Sequence, residues 1–369
     1  YGVANPDLTW ESVITKNAGV DISFLNGRIE TSIDVYKKET SQMLLIGTGP
    51  RLIGVGDQWD DLKGPVINTG RMSNTGIDFS LTSTNIRKKD LTWKTNIIFS
   101  QFKNKLEKVA GDLAALYGRI YYDNYLITRT IPGFAVGSFF GLKTDGLYRT
   151  QDELNSSLPQ FGYSVDQTHT WLGDVRYKDV GGADGKPDGV IDEKDITFIG
   201  SPLPKFTYGF TNTVNYKSFD FSVFLQGSQG AKIFNFLRWQ LEKMDNPYYN
   251  QLRSVMDRYT ATNTEGKLPR FTNTNVNNVY MSDRYVEDGS YLRIQNIAIG
   301  YRIPAKYLSK AKISTARVYI TVQNLHTFTK YSGYDPEVGV FNNNIRLTNV
   351  DAGHYPNPRS FTAGINLEL

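Results

Sequence analysis

Apolar and polar residues alternate along much of this chain with a period of two, the spacing that sends successive side chains to opposite faces of a β-strand. In residues 19–35, Val20, Ile22 and Phe24 share one face while Asp21 and Ser23 take the other. Asn26-Gly27 then interrupts the pattern, which resumes with Ile29, Ile33 and Val35. This predicts a hairpin whose Asn-Gly pair supplies the positive-φ positions of a type I′ turn. The pattern recurs around residues 76–82 and 91–100, collecting Ile77, Phe79, Leu81, Leu91, Trp93, Ile97 and Phe99 on one face. Asp78, Ser80, Thr82, Lys94, Asn96 and Ser100 fall on the other, with a turn over 85–90. Residues 206–216 and 219–226 form a third hairpin around Lys217-Ser218, and further strands are predicted at 291–303, 317–327 and 361–369. In the last of these Phe361, Ala363, Ile365, Leu367 and Leu369 point one way and Thr362, Gly364, Asn366 and Glu368 the other.

About ten strands are predicted, most longer than the ~5–6 residues usual in globular sheets, joined alternately by short turns and long polar loops. Outer-membrane barrels have this asymmetry; a soluble β-sandwich has no reason for it, although its inner faces alternate as well. One helix is predicted over 231–244, where Ile233, Phe236, Leu237 and Leu241 recur at helical spacing ahead of Asp245-Asn246-Pro247, packing inside a long loop.

Composition narrows the chemistry. The 369 residues contain no Cys and only three His (His169, His326, His354), which excludes disulfides, thiolate metal sites and Cys nucleophiles and argues against a His-rich metal cluster. A net charge of +4 is too small to indicate a nucleic-acid binder. Aromatic residues make up 13% of the chain, alongside 33 Gly, which suits β structure. No run approaches the ~18 apolar residues of a transmembrane helix, a test that a membrane β-barrel never has to pass. No Ser lies in a nucleophile-elbow pattern, and the basic run Arg87-Lys88-Lys89 reads as a solvated turn.

Several strings are more specific than composition. They include Gly173-Asp174-Val175-Arg176-Tyr177-Lys178-Asp179, Gly189-Val190-Ile191-Asp192, Gly200-Ser201-Pro202-Leu203-Pro204, and the 221–230 segment ending in Gly227-Ser228-Gln229-Gly230. Asp288-Gly289-Ser290-Tyr291-Leu292-Arg293, Gly300-Tyr301-Arg302-Ile303-Pro304, Gln323-Asn324-Leu325, Tyr334-Asp335-Pro336-Glu337-Val338 and Pro358-Arg359-Ser360-Phe361-Thr362 follow. Taken in this order, and from Asn5-Pro6-Asp7-Leu8-Thr9-Trp10-Glu11 onward, the sequence resembles the C-terminal half of a SusC/RagA-type TonB-dependent outer-membrane transporter.

The resemblance implies an all-β fold: the C-terminal portion of a 22-stranded antiparallel transmembrane β-barrel, with long extracellular loops and one short loop helix. All of residues 1–369 would belong to the barrel, with the N-terminal plug, the TonB box and the first strands supplied from outside this sequence. The implied location is the outer membrane of a Gram-negative bacterium. The implied activity is energy-dependent import of an oligosaccharide or peptide. The implied partners are TonB, a SusD-like surface lipoprotein acting as a lid, and outer-membrane lipid. No catalysis or obligatory cofactor is implied. The terminal Leu369 departs from the aromatic residue usual at the end of such barrels.

The loop Asp184-Gly185-Lys186-Pro187-Asp188-Gly189-Val190-Ile191-Asp192-Glu193-Lys194-Asp195 looks like an EF-hand calcium loop, with Gly189 at the sharp-turn position. Asp179, Asp184, Asp188, Asp192 and Asp195 are its candidate ligands for a structural Ca²⁺, and a hydrogen-bonded Asx-rich turn is the alternative reading. Tyr121, Tyr122, Tyr125, Tyr248 and Tyr249 are candidates for stacking on sugar rings, although amphipathic rings equally suit membrane interfaces. The alternative for the whole chain is a secreted or surface carbohydrate-binding β-sandwich without a transport role. It predicts two stacked sheets whose oily faces meet.

Overall fold

The computed structural model describes residues 4–46, 64–109, 115–120, 125–182, 184–245, 248–272, 277–309 and 313–368. Nine strands form one antiparallel sheet in which chain order is also spatial order. They are β1 (Ser12–Phe24), β2 (Ile29–Ile46), β3 (Val66–Lys88), β4 (Leu91–Lys108), β5 (Phe206–Tyr216), β6 (Phe219–Gln229), β7 (Tyr291–Arg302), β8 (Thr315–Thr329) and β9 (Ser360–Glu368). Among the described residues the two outer strands, β1 and β9, pair on one side only.

The register carries the predicted faces across the whole sheet. One row runs Val20, Ile33, Phe79, Phe99, Tyr208, Gly227, Leu292, Phe328 from β1 to β8. Nearer the short turns, Trp93, Val214, Phe221, Ile299, Ile320 and Ala363 line up from β4 to β9 on the same face. The opposite face reads Asp34, Asp78, Ser100, Thr207, Ser228, Tyr291, Thr329. Many residues of the apolar face lie open: Ile299 is 53% exposed, Ile320 59%, Ile365 65% and Phe361 69%. Among the described residues no second sheet covers it, so the face-to-face packing of a sandwich is not what this chain builds.

The apolar face ends in a row of cations. Two residues beyond Val35, Ile77 and Gln101 lie Lys37, Thr75 and Lys103, in register with Lys16. Leu91, Tyr216, Phe219, Tyr301 and Val318 close the other side, with the Phe219 and Tyr301 rings 4.7 Å apart. Lysine heads and amphipathic rings at the two limits of an apolar band are the arrangement that a membrane's two interfaces select. The 23 residues of β3 far exceed the ~9–11 that cross a hydrocarbon core, so the long-loop ends of β2 to β4 project beyond it.

The connections are as asymmetric as the sequence implies. Residues 25–28, 89–90 and 217–218 turn tightly at one end, whereas β2 and β3, β4 and β5, β6 and β7, and β8 and β9 are joined through long links at the other. The short end has one longer link, 303–314, which contains the helix Ala305–Leu308. Three details correct the sequence reading. The first hairpin closes through four residues, not two, because Leu25 joins Asn26 and Gly27 at positive φ (55°, 56° and 73°) and Arg28 N–H donates to the Leu25 carbonyl at 3.3 Å. Pairing in β3 continues to Lys88, so the expected 85–90 turn shrinks to 89–90. The helix spans only Phe236–Glu242, because Lys232–Phe234 pairs as a strand with Val286–Asp288 and Asn235 caps the helix by accepting from Arg238 N–H. Leu369 lies outside the described residues.

The buried core belongs to the long loops rather than to the wall. Ile120, Ile127, Phe139, Phe234, Trp239, Tyr285, Leu347 and Val350 pack together, and Leu142, Leu147, Val175, Tyr177 and Ile191 form a second cluster. The predicted helix contributes Trp239 to the first of these, in line with its expected packing role. A four-stranded sheet of residues 116–120, 125–130, 139–141 and 197–200 frames this core, tied to the end of β4 where Leu106 N–H donates to the Phe134 carbonyl at 2.9 Å.

The two faces predict a contrast. Phe79→Arg or Ile97→Arg, placing a guanidinium on the apolar face, should cost about 2–4 kcal/mol of assembly into a bilayer. Ser80→Arg, on the polar face, should leave assembly intact. Heat-modifiable electrophoretic mobility of the membrane-inserted protein reads the difference, and equal defects from both faces would count against the assigned orientation.

Candidate functional site

The polar face of the wall carries hydroxyl, amide and carboxylate side chains whose placement is set by the strand register. Asp78 accepts from the Ser100 hydroxyl, and Asn96 donates to Thr82 at 3.0 Å. Two neighbouring apolar side chains break this surface near Gly209. Ile98 and Phe224 lie on either side of Gly209, where a Cβ would meet Ile98 at 2.7 Å and Phe224 at 3.2 Å. They form the floor of a shallow hollow bordered by Ser32, Ser80, Thr207 and Gln226. Alternation alone did not single out Ile98, which follows Ile97 directly and turns inward only because its neighbour turns out. Nearer the short turns, Arg317 grips Asp220 through two parallel contacts, Nε to Oδ1 at 2.9 Å and Nη2 to Oδ2, and Gly300 beneath leaves the room. A fork-to-fork pair of this kind fixes both side chains in orientation.

At the long-loop end, the segments singled out in the sequence meet one another. Arg293, only 1% exposed, donates to Glu337 at 2.7 Å, to Asp335, and through Nε to Thr327 at 2.9 Å. Asp335 is completed by the N–H of Asn357, 3.1 Å away. One guanidinium on β7 thereby holds both arms of the 330–359 loop. Asp174, fully buried, accepts from Arg270 Nε at 2.8 Å and from Asn278 Nδ2 at 2.8 Å, joining the 173–179 segment to the loop that precedes β7. Arg238 lies between Glu242 at 2.9 Å and Glu287 at 3.1 Å. Tyr331 donates to Asp351; burial, reinforced by that carboxylate, pushes its hydroxyl pKa far above the usual range and keeps it a donor. Burial likewise pushes the Tyr280 hydroxyl up to about 12.

The acidic loop brings its candidate ligands together as caps. Asp195 Oδ1 accepts from Val180 N–H at 2.7 Å and Gly181 N–H at 3.0 Å, and its Oδ2 accepts from Asp192 N–H at 2.8 Å. Asp179 takes the N–H groups of Asp188 and Gly189 at 3.3 and 2.7 Å, and Asp184 takes Lys186 N–H at 3.3 Å. Asp192 accepts from Lys194 N–H at 2.7 Å. The Lys194 ammonium bridges Asp188 at 3.1 Å and Asp192 at 3.2 Å, which raises its own pKa, while the Lys194 backbone N–H, reinforced by the ammonium, lowers that of Asp192. Among the described residues no three acidic or His side chains gather around one point that an ion could take. The donor set in this conformation does not fit Ca²⁺: the oxygens are turned to N–H groups and a lysine already supplies the positive charge. The arrangement is that of the Asx-rich turn. Of the candidate stacking tyrosines, Tyr248 and Tyr249 are 91% and 51% exposed, while Tyr121, Tyr122 and the side chain of Tyr125 lie outside the described residues.

Residues 1–325 match the family model described as TonB dependent receptor-like, beta-barrel. TonB-dependent receptor P3 of Formosa agariphila is 35% identical over 377 residues, covering 99% of this chain and 35% of its own length. TonB-dependent receptor SusC of Bacteroides thetaiotaomicron is 27% identical over 372 residues, covering 99% of this chain and 32% of its own. Among solved structures, the RagAB peptide transporter superimposes with a TM-score of 0.75 at 24% identity, over 98% of this chain and 36% of that one. At that identity the likeness is one of fold. The chain spans about a third of the length of the curated relatives it matches.

Two outcomes test this account. Arg293→Met leaves Asp335 buried without its partner and should cost about 3–5 kcal/mol, read as early proteolysis within 330–359 and a lowered melting point. Pairing it with Asp335→Leu should recover part of the loss. Asp195→Ala strands backbone donors at about 1–3 kcal/mol each and should destabilise the 179–195 loop, whereas chelation by EGTA should leave the wild-type melting point unmoved. A drop on chelation would restore the calcium reading.

Proposed function

The chain belongs to the family of TonB-dependent receptor-like β-barrels, and from that premise we propose that it forms the C-terminal stretch of the wall of an outer-membrane nutrient importer. The observation that carries this reading is the nine-stranded sheet with one largely apolar face left uncovered and a polar face opposite. Hydrocarbon against the first and water against the second is the partition a barrel wall maintains. Strands outside these 369 residues would pair with the free sides of β1 and β9, since an open edge in lipid leaves N–H and C=O groups unmatched at several kcal/mol each. A plug threaded through the lumen would contact the polar face, with Ile98 and Phe224 as an apolar foothold among hydroxyls.

In this reading, TonB pulls on the plug, a SusD-like lipoprotein covers the outer mouth, and an oligosaccharide or peptide passes between lid and wall. The relative named SusC and the fold neighbour described as a peptide transporter support this choice of partners and cargo. The work is passage of a solute, with no bond made or broken, and this chain's residues contribute shape, wetting and rigidity. The packed, ion-paired loop assembly would offer such a lid a defined landing surface.

The test is uptake of labelled oligosaccharides and labelled peptides by cells carrying the complete gene, with and without TonB. Uptake of one class should disappear when TonB is deleted, and a lipoprotein should co-purify with the protein from detergent. Uptake indifferent to TonB, or extraction of the protein without detergent, would overturn the proposal.

A further inference from the structure

On the outward face of β1 to β4, cations gather just past the apolar band. Lys16, Lys37, Thr75 and Lys103 form one register row, and Glu39, Ser73 and Lys105 form the next row toward the long loops. Beyond these, Arg71 is the register partner of Lys108. Residues two apart on a strand share a face, so all of these side chains leave the wall on the side of Val35 and Ile77. Lys37 pairs with Glu39 at 2.7 Å and Lys105 with Glu107 at 2.8 Å. Arg71 acts electrostatically on both carboxylates and Lys16 on Glu39, which places these charges in one patch. Glu11, at the start of the same region, is turned to the Leu44 N–H at 2.6 Å. Among the described residues Lys16, Arg71, Lys103 and Lys108 are exposed and have no carboxylate at salt-bridge distance.

Two features of the patch point to an anion. Lys16 faces Lys37, and Arg71 faces Lys108, directly across neighbouring strands, where like charges repel. An anion seated between such partners turns that repulsion into attraction. The patch is also confined sideways. From β5 to β8 the strands end the apolar face at the same side with Phe206, Tyr208, Leu292 and Phe328, the ring-rich finish that a plain interface selects.

Height distinguishes one lipid class from another. On β4 the stretch from Leu91 to Gln101 is as long as the ~9–11 residues that cross hydrocarbon, so Lys103 stands at the outer boundary. From Thr75 to Arg71 the strand advances about 14 Å, or about 10 Å of height at the ~45° tilt of a barrel strand. An ordinary headgroup layer is only ~5–8 Å deep. The cations therefore climb higher than a glycerophospholipid phosphate reaches. We propose that the outward face of β1 to β4 binds a phosphorylated glycolipid of the outer leaflet, with acyl chains against Val35 and Ile77 and phosphates among Lys16, Arg71 and Lys103. A sugar headgroup holds its anionic groups apart at more than one depth, and the Arg71 fork suits a phosphate in particular. The inference rests on the membrane placement of the wall and is independent of what is imported.

Native mass spectrometry of the complete receptor in detergent tests it with three added lipids: bisphosphorylated lipid A, the same lipid stripped of its phosphates, and phosphatidylglycerol. The wild type should retain the bisphosphorylated lipid about tenfold or more over either of the others. Lys16→Gln, Arg71→Gln and Lys103→Gln together should weaken that retention about a hundredfold, at about fivefold per cation, while heat-modifiable mobility stays normal. Arg87→Gln, Lys88→Gln and Lys89→Gln together, at the short-turn end, should leave it unchanged. Equal retention of phosphorylated and stripped lipid by the wild type would overturn the proposal without any variant. Phosphatidylglycerol held as tightly as the glycolipid, or equal losses from the two triple variants, would overturn it as well. TonB-dependent uptake is not among these readouts, so failure here leaves the import reading standing, and a receptor indifferent to TonB leaves this one.

Discussion

Unbroken backbone pairing between neighbouring strands is the constraint on which the rest of this structure depends. In hydrocarbon no water is available to satisfy an N–H or C=O, so each strand must find its neighbour along its whole buried length. From β1 to β9 the ladder runs in chain order, and the irregularities that interrupt it in β2, β3, β6 and β7 shift the register locally without parting the strands. Once pairing is fixed, side-chain direction follows, because a slip of one residue would bring every polar side chain to the apolar face. The rows that begin at Val20 and at Asp34 are therefore two readings of one hydrogen-bonding register.

A wall of this kind has no interior of its own, which explains where the core went. The large buried side chains sit in the loops at one end, where Phe139, Phe234, Trp239 and Tyr285 form an assembly that packs like a small soluble domain. Its polar contacts are of the kind a compact interior demands. Arg293, Asp174 and Glu242 are buried and each is matched, since an unmatched charge there would cost more than the pair gains. The result is a thin sheet carrying a densely packed loop assembly at one end.

The wall was legible in the sequence because a period of two leaves a direct trace: Ile77, Phe79 and Leu81 against Asp78, Ser80 and Thr82 specify both strand and face. What escaped was whatever depends on distant partners. Ile98 reads as part of an apolar run, and only its register with Ser80 and Gly209 places it on the wet face. Residues 231–235 have helical spacing, yet pairing with Val286–Asp288 claims them as strand, a tertiary contact overriding local pattern. The acidic loop shows the converse. Its spacing invites a metal, but spacing cannot reveal that Lys194 folds back between Asp188 and Asp192 or that Asp195 is committed to three backbone N–H groups. The motif strings were visible as strings; that Arg293 and Asp335 belong to one contact required the fold.

The chain contains no cysteine, so the loop assembly does without covalent cross-links and is pinned by ion pairs such as Arg293 with Asp335 and Asp174 with Arg270. Because these pairs are buried, dissolved electrolyte screens them far less than it would screen pairs on the surface. A bacterium's outermost layer meets brine and rainwater alike, and fasteners of this sort keep their grip in both.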